Sequence, residues 1–306
     1  MEALETLLDM VDGARDEIVQ FHQDIVRIQT VNSGIMPTGN EIEVCKYLEK
    51  HFSDEDIDFE TIESAPTRGN FLASLGAAAS PSLLLMSHSD VVPAGDENLW
   101  SFPPFSAHVE DGKIYGRGSD DAKSLVTSGA MTLFILNRAG ISLQGKLVFL
   151  AAADEEAGGT YGAKWLSENV PQKIRTDYAL NEGSGSPLII DGKLAYTIAV
   201  GEKGRSIAKI DVRGQAAHAG QPWLGKNAIQ QLAEVVTRIC SYTPQIDTSL
   251  VFFEQVARLL ELEEPITQEN LDDIANTLLT TQKDLSSTLR ALSRMTMSAT
   301  LISGGT

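Results

Sequence analysis

Residues 83–93 read LLLMSHSDVVP, an apolar run that ends in a histidine two positions before an aspartate. Continuous apolar residues over such a length are typical of a strand that is covered on both faces of its sheet. A histidine and an aspartate at the end of this strand raise the question of their chemical use. The answer depends on which other residues reach the same place in the fold.

Strand-like and helix-like segments alternate around this run. Apolar residues recur at helical spacing in the N-terminal segment, and a second helix fits residues 41–52. The remaining segments are predicted as strands at 58–64, 70–76, 82–88, 146–154 and 176–182, with helices at 123–140 and 159–170. This alternation predicts an α/β fold with a mainly parallel sheet that is covered by helices.

The pattern changes after about residue 200. Residues 205–213 alternate in the manner of a half-exposed strand, and residues 227–239 have the pattern of an amphipathic helix. Leucines and an isoleucine between 271 and 292 recur on one helical stripe, which is ordinary packing. We therefore predict two domains, an α/β domain over residues 1–200 and a smaller α+β domain over residues 201–306.

The composition argues against several classes of function. The chain has 42 acidic and 24 basic residues, and no basic run offsets the formal charge of −18. Phosphate backbones and anionic lipid surfaces repel such a chain, so we expect neither nucleic acid nor a membrane as a partner. The two cysteines, Cys45 and Cys240, lack metal-type spacing, and the N-terminus lacks the basic start and apolar block of a signal peptide. We expect a cytoplasmic protein.

Three of the predicted strands end in polar groups. His88 and Asp90 follow one strand, the acidic triplet at 154–156 follows another, and Glu182 follows a third. The loop GRGSDDAK at 116–123 adds two aspartates before a helix. Ligands of open α/β sheets bind outside the carboxyl ends of the strands. These groups either bind a divalent metal ion or serve as solvated charges near helix N-termini.

The spacing of these residues favours the metal site. A neutral imidazole that binds a metal keeps its other N–H bonded to an acceptor, and Asp90 lies on the same side of the strand as His88. The side chains of Glu155 and Glu156 diverge, so one can bind metal while the other acts as a base near a metal-bound water. A magnesium phosphatase is a weaker alternative, because Mg²⁺ prefers an all-oxygen shell.

Five ordered motifs carry a resemblance to a known family. They are SHSDVVPAG at 87–95, GRGSDDAK at 116–123, DEE at 154–156, NEG at 181–183 and GQAAHAGQP at 214–222. Together they resemble the dizinc metallopeptidase family that includes acetylornithine deacetylase, succinyl-diaminopimelate desuccinylase, aminoacylase and carboxypeptidase G. The resemblance implies a zinc-exopeptidase-like catalytic domain with an inserted lid domain through which the protein forms homodimers.

The resemblance also implies the metal ligands. His88 would bind one zinc ion, with Asp90 orienting its ring, and Asp121 would bridge two zinc ions. Glu182 would complete the first zinc site, and Glu156 would bind the second zinc. Cobalt or manganese are the substitutes that such a site accepts.

The catalytic roles follow from the same resemblance. Glu155 would be the general acid and base, and His218 would stabilise the oxyanion during hydrolysis of an amide bond in an N-acyl amino acid or a small peptide. The alternative is a catalytically incompetent fragment, or a binding or assembly module, that retains the fold. The family's second zinc takes a final histidine near the C-terminus, but no histidine follows His218, so we expect a C-terminally truncated chain. The other three histidines, His22, His51 and His108, are expected to be structural or solvated.

Overall fold

The computed structural model describes residues 2–77, 80–183, 187–190, 192–196, 198–199, 201, 203–204 and 206–304. The chain divides into two compact units, Met1–Gly183 and Ser184–Thr306. The boundary predicted after residue 200 falls within the second unit, and Val200 itself lies outside the described residues. The assignment of a catalytic domain and a lid domain stays a prediction.

The elements of the first unit follow the predicted order. Its helices are α1 (Glu2–Gly13), α2 (Arg15–Arg27), α3 (Ile42–Asp54), α4 (Lys123–Arg138), α5 (Ala163–Asn169) and α6 (Pro171–Ile174). Its strands are β1 (Phe59–Ala65), β2 (Arg68–Leu75), β3 (Ser82–His88), β4 (His108–Glu110), β5 (Lys113–Tyr115), β6 (Lys146–Ala152) and β7 (Tyr178–Leu180). Across the described parts of the chain, no helix is both long and apolar enough to cross a membrane.

Five strands form the main sheet, in the order β1-β2-β6-β3-β7. Strands β6, β3 and β7 are parallel, whereas β1 and β2 run antiparallel to their neighbours. The difference from a mainly parallel sheet has a local cause. Only Pro66 and Thr67 separate β1 from β2, and so short a connection can join only antiparallel strands. The predicted α/β class is confirmed, with a sheet that is mixed.

Helices cover both faces of this sheet. On one face Phe52 of α3 lies with its ring centroid 4.9, 4.8 and 5.8 Å from those of Phe71, Phe134 and Phe149. On the other face Leu166 of α5 is fully buried in a second apolar cluster. Burying one such ring stabilises the folded state by roughly 1.5–3 kcal/mol relative to leaving it exposed. This packing therefore stabilises the sheet that carries the site.

The parallel strands bring their carboxyl ends to one edge of the sheet. His88 at the end of β3 pairs with Ala152 at the end of β6. Beyond them, the N–H of Ser89 donates to the carbonyl of Ala152 at 2.9 Å. Glu182 follows the last residue of β7, Leu180, which is also parallel to β3. The three strands therefore deliver their terminal polar residues to a common place.

The described residues of the second unit form a strand hairpin and four helices. These elements are β8 (Pro187–Ile190), β9 (Lys193–Tyr196), α7 (Ala228–Cys240), α8 (Val251–Leu259), α9 (Leu271–Leu278) and α10 (Lys283–Ser293). Helix α7 confirms the helix predicted at 227–239, and its first turn is capped by the side chain of Asn227. Helices α8, α9 and α10 share an apolar core of their own.

Two expectations for this unit are corrected by the structure. Residues 206–213 form no strand, because none of the described segments offers them a hydrogen-bonding ladder, and Arg205 lies outside the described residues. The leucine stripe is divided between α9 and α10 by a turn that includes Thr280 and Thr281, two β-branched residues that disfavour a continuous helix. The two helices pack together, and the Ser286 hydroxyl donates to the carbonyl of Ala275 at 2.7 Å.

Candidate metal centre

His88 is 2% exposed at the end of β3, and its two ring nitrogens face different groups. Nδ1 lies 3.0 Å from the main-chain carbonyl oxygen of Asp90 and 3.4 Å from the carboxylate of the same residue. Because both neighbours are acceptors, Nδ1 carries a proton and donates it. The other nitrogen, Nε2, faces the carboxylates at the sheet edge, which is the arrangement of a metal-binding imidazole.

Three carboxylates surround Nε2 of His88. The nearest oxygen of Asp121 lies at 3.1 Å, that of Glu182 at 3.2 Å and that of Glu155 at 3.7 Å. The ligand atoms of His88, Asp121 and Glu182 all lie within 4.8 Å of one another. The structure thus brings together three of the four residues predicted as metal ligands.

The fourth predicted ligand, Glu156, does not belong to that group of ligand atoms. Burial raises the pKa of Glu156, while the charge of His88 opposes this shift and that of Asp121 adds to it. The Glu156 carboxylate is therefore close enough to the site to respond to its charges. Its assignment to a second metal position stays a prediction.

The charges at the site favour a cation at Nε2. Burial lowers the pKa of His88, but the hydrogen bond and charge of Asp90, together with the charges of Glu182 and Glu155, raise it to about 10. Burial also raises the pKa of Glu182. The negative field that holds a proton on the imidazole suits a divalent cation equally well, because such an ion neutralises several carboxylates at once.

Asp90 is fully buried and ties the histidine to the acidic triplet. Its carboxylate accepts from the N–H of Glu155 at 3.0 Å, from the N–H of Glu156 at 3.2 Å and from the Asn32 amide at 2.7 Å. Burial raises the pKa of Asp90, but the hydrogen bonds from His88 and Asn32 outweigh this and lower it. Asp90 is therefore ionised and holds both the His88 ring and the main chain of the two glutamates.

The loop that carries Asp121 is held by α2 and by Ile28, the residue that follows this helix. The fully buried Lys123 donates from Nζ to the carbonyl of Ile28 at 2.6 Å. Nε2 of His22 lies 2.9 Å from the carbonyl oxygen of Ser119. His22 is structural, as expected, but its contact with this loop places it closer to the site than the sequence indicates.

The other three histidines have local contacts of their own. His218 is exposed in the second unit, where its Nδ1 accepts from the N–H of Gly220 at 3.1 Å. Its role at an oxyanion stays a prediction. His51 packs on Phe21 with ring centroids 5.1 Å apart, and His108 stacks on Phe102 at 3.8 Å, so both have structural contacts.

A buried ionic cluster that the sequence does not predict lies beside the site. The guanidinium of Arg68 donates to Glu41 at 2.9 and 2.6 Å and to Asp154 at 3.0 Å. Asn32 donates both to Asp154 at 3.0 Å and to Asp90 at 2.7 Å. The sequence alone does not reveal this cluster. Arg68 follows a turn and Glu41 precedes a helix, and charged residues at such positions are ordinarily on the surface.

The ionisation of Glu41 is expected to make stability depend on pH. Burial raises the pKa of Glu41 from 4.5 to about 7, against the opposing hydrogen bond and charge of Arg68. Between these two pH values the folded chain binds a proton that the unfolded chain has lost, so the free energy of unfolding falls as pH rises. Glu41→Gln, which does not titrate, should remove about 3 kcal/mol of this fall between pH 4.5 and 7.

Urea unfolding at several pH values in that range measures this effect. The substitution is also expected to lower stability at every pH, so the slope against pH is the readout. Glu43→Gln, in the first turn of α3 with a side chain that is 45% exposed, should leave the slope unchanged. Equal slopes for the parent and for Glu41→Gln would refute the assignment.

Comparison with known proteins decides the family. A sequence profile of peptidase family M20/M25/M40 matches residues 84–267, which is more than half of the chain. The chain belongs to this family. The match confirms the resemblance that the five sequence motifs indicate.

Curated relatives of the family also match more than two thirds of the chain. A probable succinyl-diaminopimelate desuccinylase of Staphylococcus epidermidis is 35% identical over 216 residues, which are 71% of this chain and 49% of the relative. One from Staphylococcus aureus is 36% identical over 225 residues, 74% of this chain and 52% of the relative. An uncharacterized metallohydrolase of Methanocaldococcus jannaschii is 29% identical over 227 residues, 70% and 53% of the two chains. The chain spans about half the length of the curated relatives it matches.

Solved structures support the fold. An M20 family metallo-carboxypeptidase from Sulfolobus solfataricus aligns with a TM-score of 0.57 at 18% identity, over 93% of this chain and 61% of that chain. The di-peptidase Dug1p from Saccharomyces cerevisiae aligns with a TM-score of 0.50, also at 18% identity, over 59% and 41% of the two chains. At such low identity the likeness concerns the fold alone.

Proposed function

We propose that this chain forms the metal-binding part of a hydrolase that cleaves an amide bond in an N-acyl amino acid or a small peptide. One observation carries the proposal: His88, Asp121 and Glu182 offer ligand atoms within 4.8 Å of one another, with the Glu155 carboxylate 3.7 Å from the same imidazole. A carboxylate that can act as a base beside a metal site is the combination that hydrolytic metalloenzymes use. Membership of a peptidase family supports the same conclusion.

The proposed metal is zinc, with two ions in the complete site and cobalt or manganese as substitutes. His88 Nε2, Asp121 and Glu182 would hold one ion, and Glu156 would contribute to the second, with Asp121 shared between them. Zinc accepts this mixture of imidazole and carboxylate ligands. When bound, zinc supplies a Lewis acid for the scissile carbonyl and lowers the pKa of water.

The proton is proposed to move through Glu155. Its side chain is 51% exposed at the rim of the site, where it can take the proton of the attacking water and return it to the leaving amine. The N–H of Glu155 donates to the Asp90 carboxylate at 3.0 Å, and this bond fixes the main chain from which the Glu155 side chain extends. Asp90 also accepts from Nδ1 of His88, which keeps Nε2 directed at the ligands. His218 is proposed to stabilise the oxyanion by donating a hydrogen bond.

The substrate class is proposed from the relatives. The staphylococcal relatives carry the name probable succinyl-diaminopimelate desuccinylase, which specifies removal of a succinyl group from an amine. N-succinyl amino acids are therefore the first substrates to test, followed by N-acetyl amino acids and dipeptides.

Release of free amine by the zinc-loaded protein tests the proposal. We expect hydrolysis of at least one N-acyl amino acid, loss of activity after removal of zinc by a chelator, and recovery when zinc is restored. Zinc binding without hydrolysis of any of these substrates would favour the binding or assembly module instead. Magnesium-dependent release of phosphate from a phosphomonoester would favour the phosphatase.

The second unit is proposed to mediate a homodimer. No residue of α7 is fully buried, and Ile229 on its apolar face is 67% exposed. An apolar helix face with this exposure suits a copy of itself across a two-fold axis. Sedimentation velocity over a range of concentrations tests the assembly, and a monomer at every concentration would contradict it.

The proposed location is the cytoplasm. Cys45 is buried and Cys240 is exposed, and both thiols are free. Free thiols are typical of a reducing compartment. Cell fractionation, with detection of the native protein in each fraction, would test this location.

A further inference from the structure

The acidic triplet at 154–156 leaves β6 through an unusual backbone conformation. Asp154 has φ 66° and ψ 22°, which is the left-handed region that favours glycine. This residue turns the chain directly before Glu155 and Glu156. A residue with a Cβ keeps such a conformation only when the surrounding structure holds it.

Five hydrogen bonds hold Asp154 in place, one of them from the N–H of Gly159 to its main-chain carbonyl at 2.6 Å. Its carboxylate accepts from Arg68, from Asn32 and from the N–H of Tyr161, each at 3.0 Å. Its own N–H donates to Glu41 at 3.3 Å. The side chain is 4% exposed, so these bonds are shielded from water and their directions are well defined.

Arg68 and Glu41 complete the cluster around Asp154. Both side chains are fully buried. Gly39, with φ 90°, passes so close that a Cβ there would lie 2.4 Å from a Glu41 oxygen and 2.6 Å from Nε of Arg68. A buried ionic cluster is a poor means of raising stability, since apolar groups of similar volume often serve as well. Its position directly before the two glutamates therefore indicates a use in orientation.

The cluster reaches the candidate metal centre through buried polar groups. Asn32 donates to both Asp154 and Asp90. Asp90 in turn accepts from the N–H groups of Glu155 and Glu156. The main chain of the two glutamates is thus held by Asp154 at its start and by Asp90 from the side.

We propose that Asp154, held by Arg68 and Asn32, is a positioning residue that fixes the directions of Glu155 and Glu156 at the metal site. The proposal rests on the proposed function for the roles of those glutamates. Without the Asp154 carboxylate the turn loses its bonds to Arg68, Asn32 and Tyr161, and both glutamate side chains are less firmly directed to the place where metal ligands and a base are needed. Residues that orient ligands in this way typically change metal affinity about 10–100-fold when they are replaced.

Cobalt binding to the whole chain tests this role, because the visible spectrum of bound Co²⁺ reports the ligand geometry without any need for catalysis. Asp154→Asn, which keeps the shape, should weaken cobalt binding about 10–100-fold and alter the spectrum. Asp154→Gly relieves the backbone strain and removes the carboxylate, and it should show the same defect. If the asparagine variant does not fold, the glycine variant decides.

Asp177→Asn is the matched control. Asp177 accepts from the N–H of Ser82 at 2.9 Å, at the opposite end of β3 from His88. This substitution should lower the thermal midpoint without changing cobalt affinity or the cobalt spectrum. A loss of stability at either aspartate is thereby separated from an effect on the metal site.

The outcomes distinguish this proposal from the proposed function. Normal cobalt affinity and a normal spectrum in the folded Asp154 variants would overturn the positioning role, whatever their thermal midpoints. If the parent binds cobalt but hydrolyses no N-acyl amino acid, the proposed function fails while the cobalt comparison still decides the role of Asp154. A parent that binds no cobalt overturns both. Where hydrolysis is found, kcat of Asp154→Asn should fall at least about 10-fold with little change in KM.

Discussion

Replacing Glu155 with glutamine is expected to lower kcat for amide hydrolysis at least about 100-fold while zinc stays bound. The Glu155 carboxylate lies 3.7 Å from Nε2 of His88 but is not one of the three gathered ligands. Glutamine keeps the shape of the side chain and cannot take a proton from water. Rates with N-succinyl and N-acetyl amino acids, measured beside zinc content by mass spectrometry, separate chemistry from metal binding.

Glu168→Gln is the control for this substitution. Glu168 is an exposed glutamate on α5, so the variant should keep both its kcat and its zinc content. Loss of zinc together with activity in Glu155→Gln would instead make Glu155 a metal ligand. An unchanged kcat in that variant would refute its assignment as the base.

Replacing His88 with alanine is expected to weaken zinc binding by more than about 100-fold. This residue supplies the single imidazole among the gathered ligands, and its removal leaves the carboxylates of Asp121 and Glu182 without the group between them. The loss should exceed the roughly 10–100-fold change that follows when a residue orienting a ligand is replaced. Competition with a chromophoric chelator measures the affinity.

His108→Ala is the control for the His88 substitution. His108 lies on β4 and stacks on Phe102, so its loss should leave zinc affinity unchanged. Zinc affinity that is equal in the parent and in His88→Ala would place the metal elsewhere. A fall of the same size in both variants would show a loss of folding rather than of a ligand.

Much of the site's position could be predicted from the sequence, for reasons of strand geometry. The apolar run before His88 predicts β3 to the residue, because a strand covered on both faces is apolar over most of its length. Glu182 follows from the same rule, since parallel strands finish at a common edge. The prediction of Asp121 is less direct, because only the resemblance to a family distinguishes this residue from Asp120. The structure places Asp121 against His88.

Features that depend on tertiary contacts could not be predicted. Arg68 and Glu41 are 27 positions apart, and their burial arises only when β2 and the start of α3 meet. The adjacency of Glu155 and Glu156 predicts that their side chains diverge, but it does not say which one faces the histidine. That choice depends on the left-handed turn at Asp154, which an aspartate in sequence does not reveal. The strand predicted at 205–213 is absent from its described part, residues 206–213, because alternation alone supplies no partner strand.

We expect His88, Asp121 and Glu182 to bind one metal ion together. An anomalous difference map recorded at the zinc absorption edge, from crystals of the zinc-loaded protein, would locate that ion. We expect a peak about 2.0–2.2 Å from Nε2 of His88 and from carboxylate oxygens of Asp121 and Glu182. A zinc peak at another place, with none beside His88, would contradict the claim.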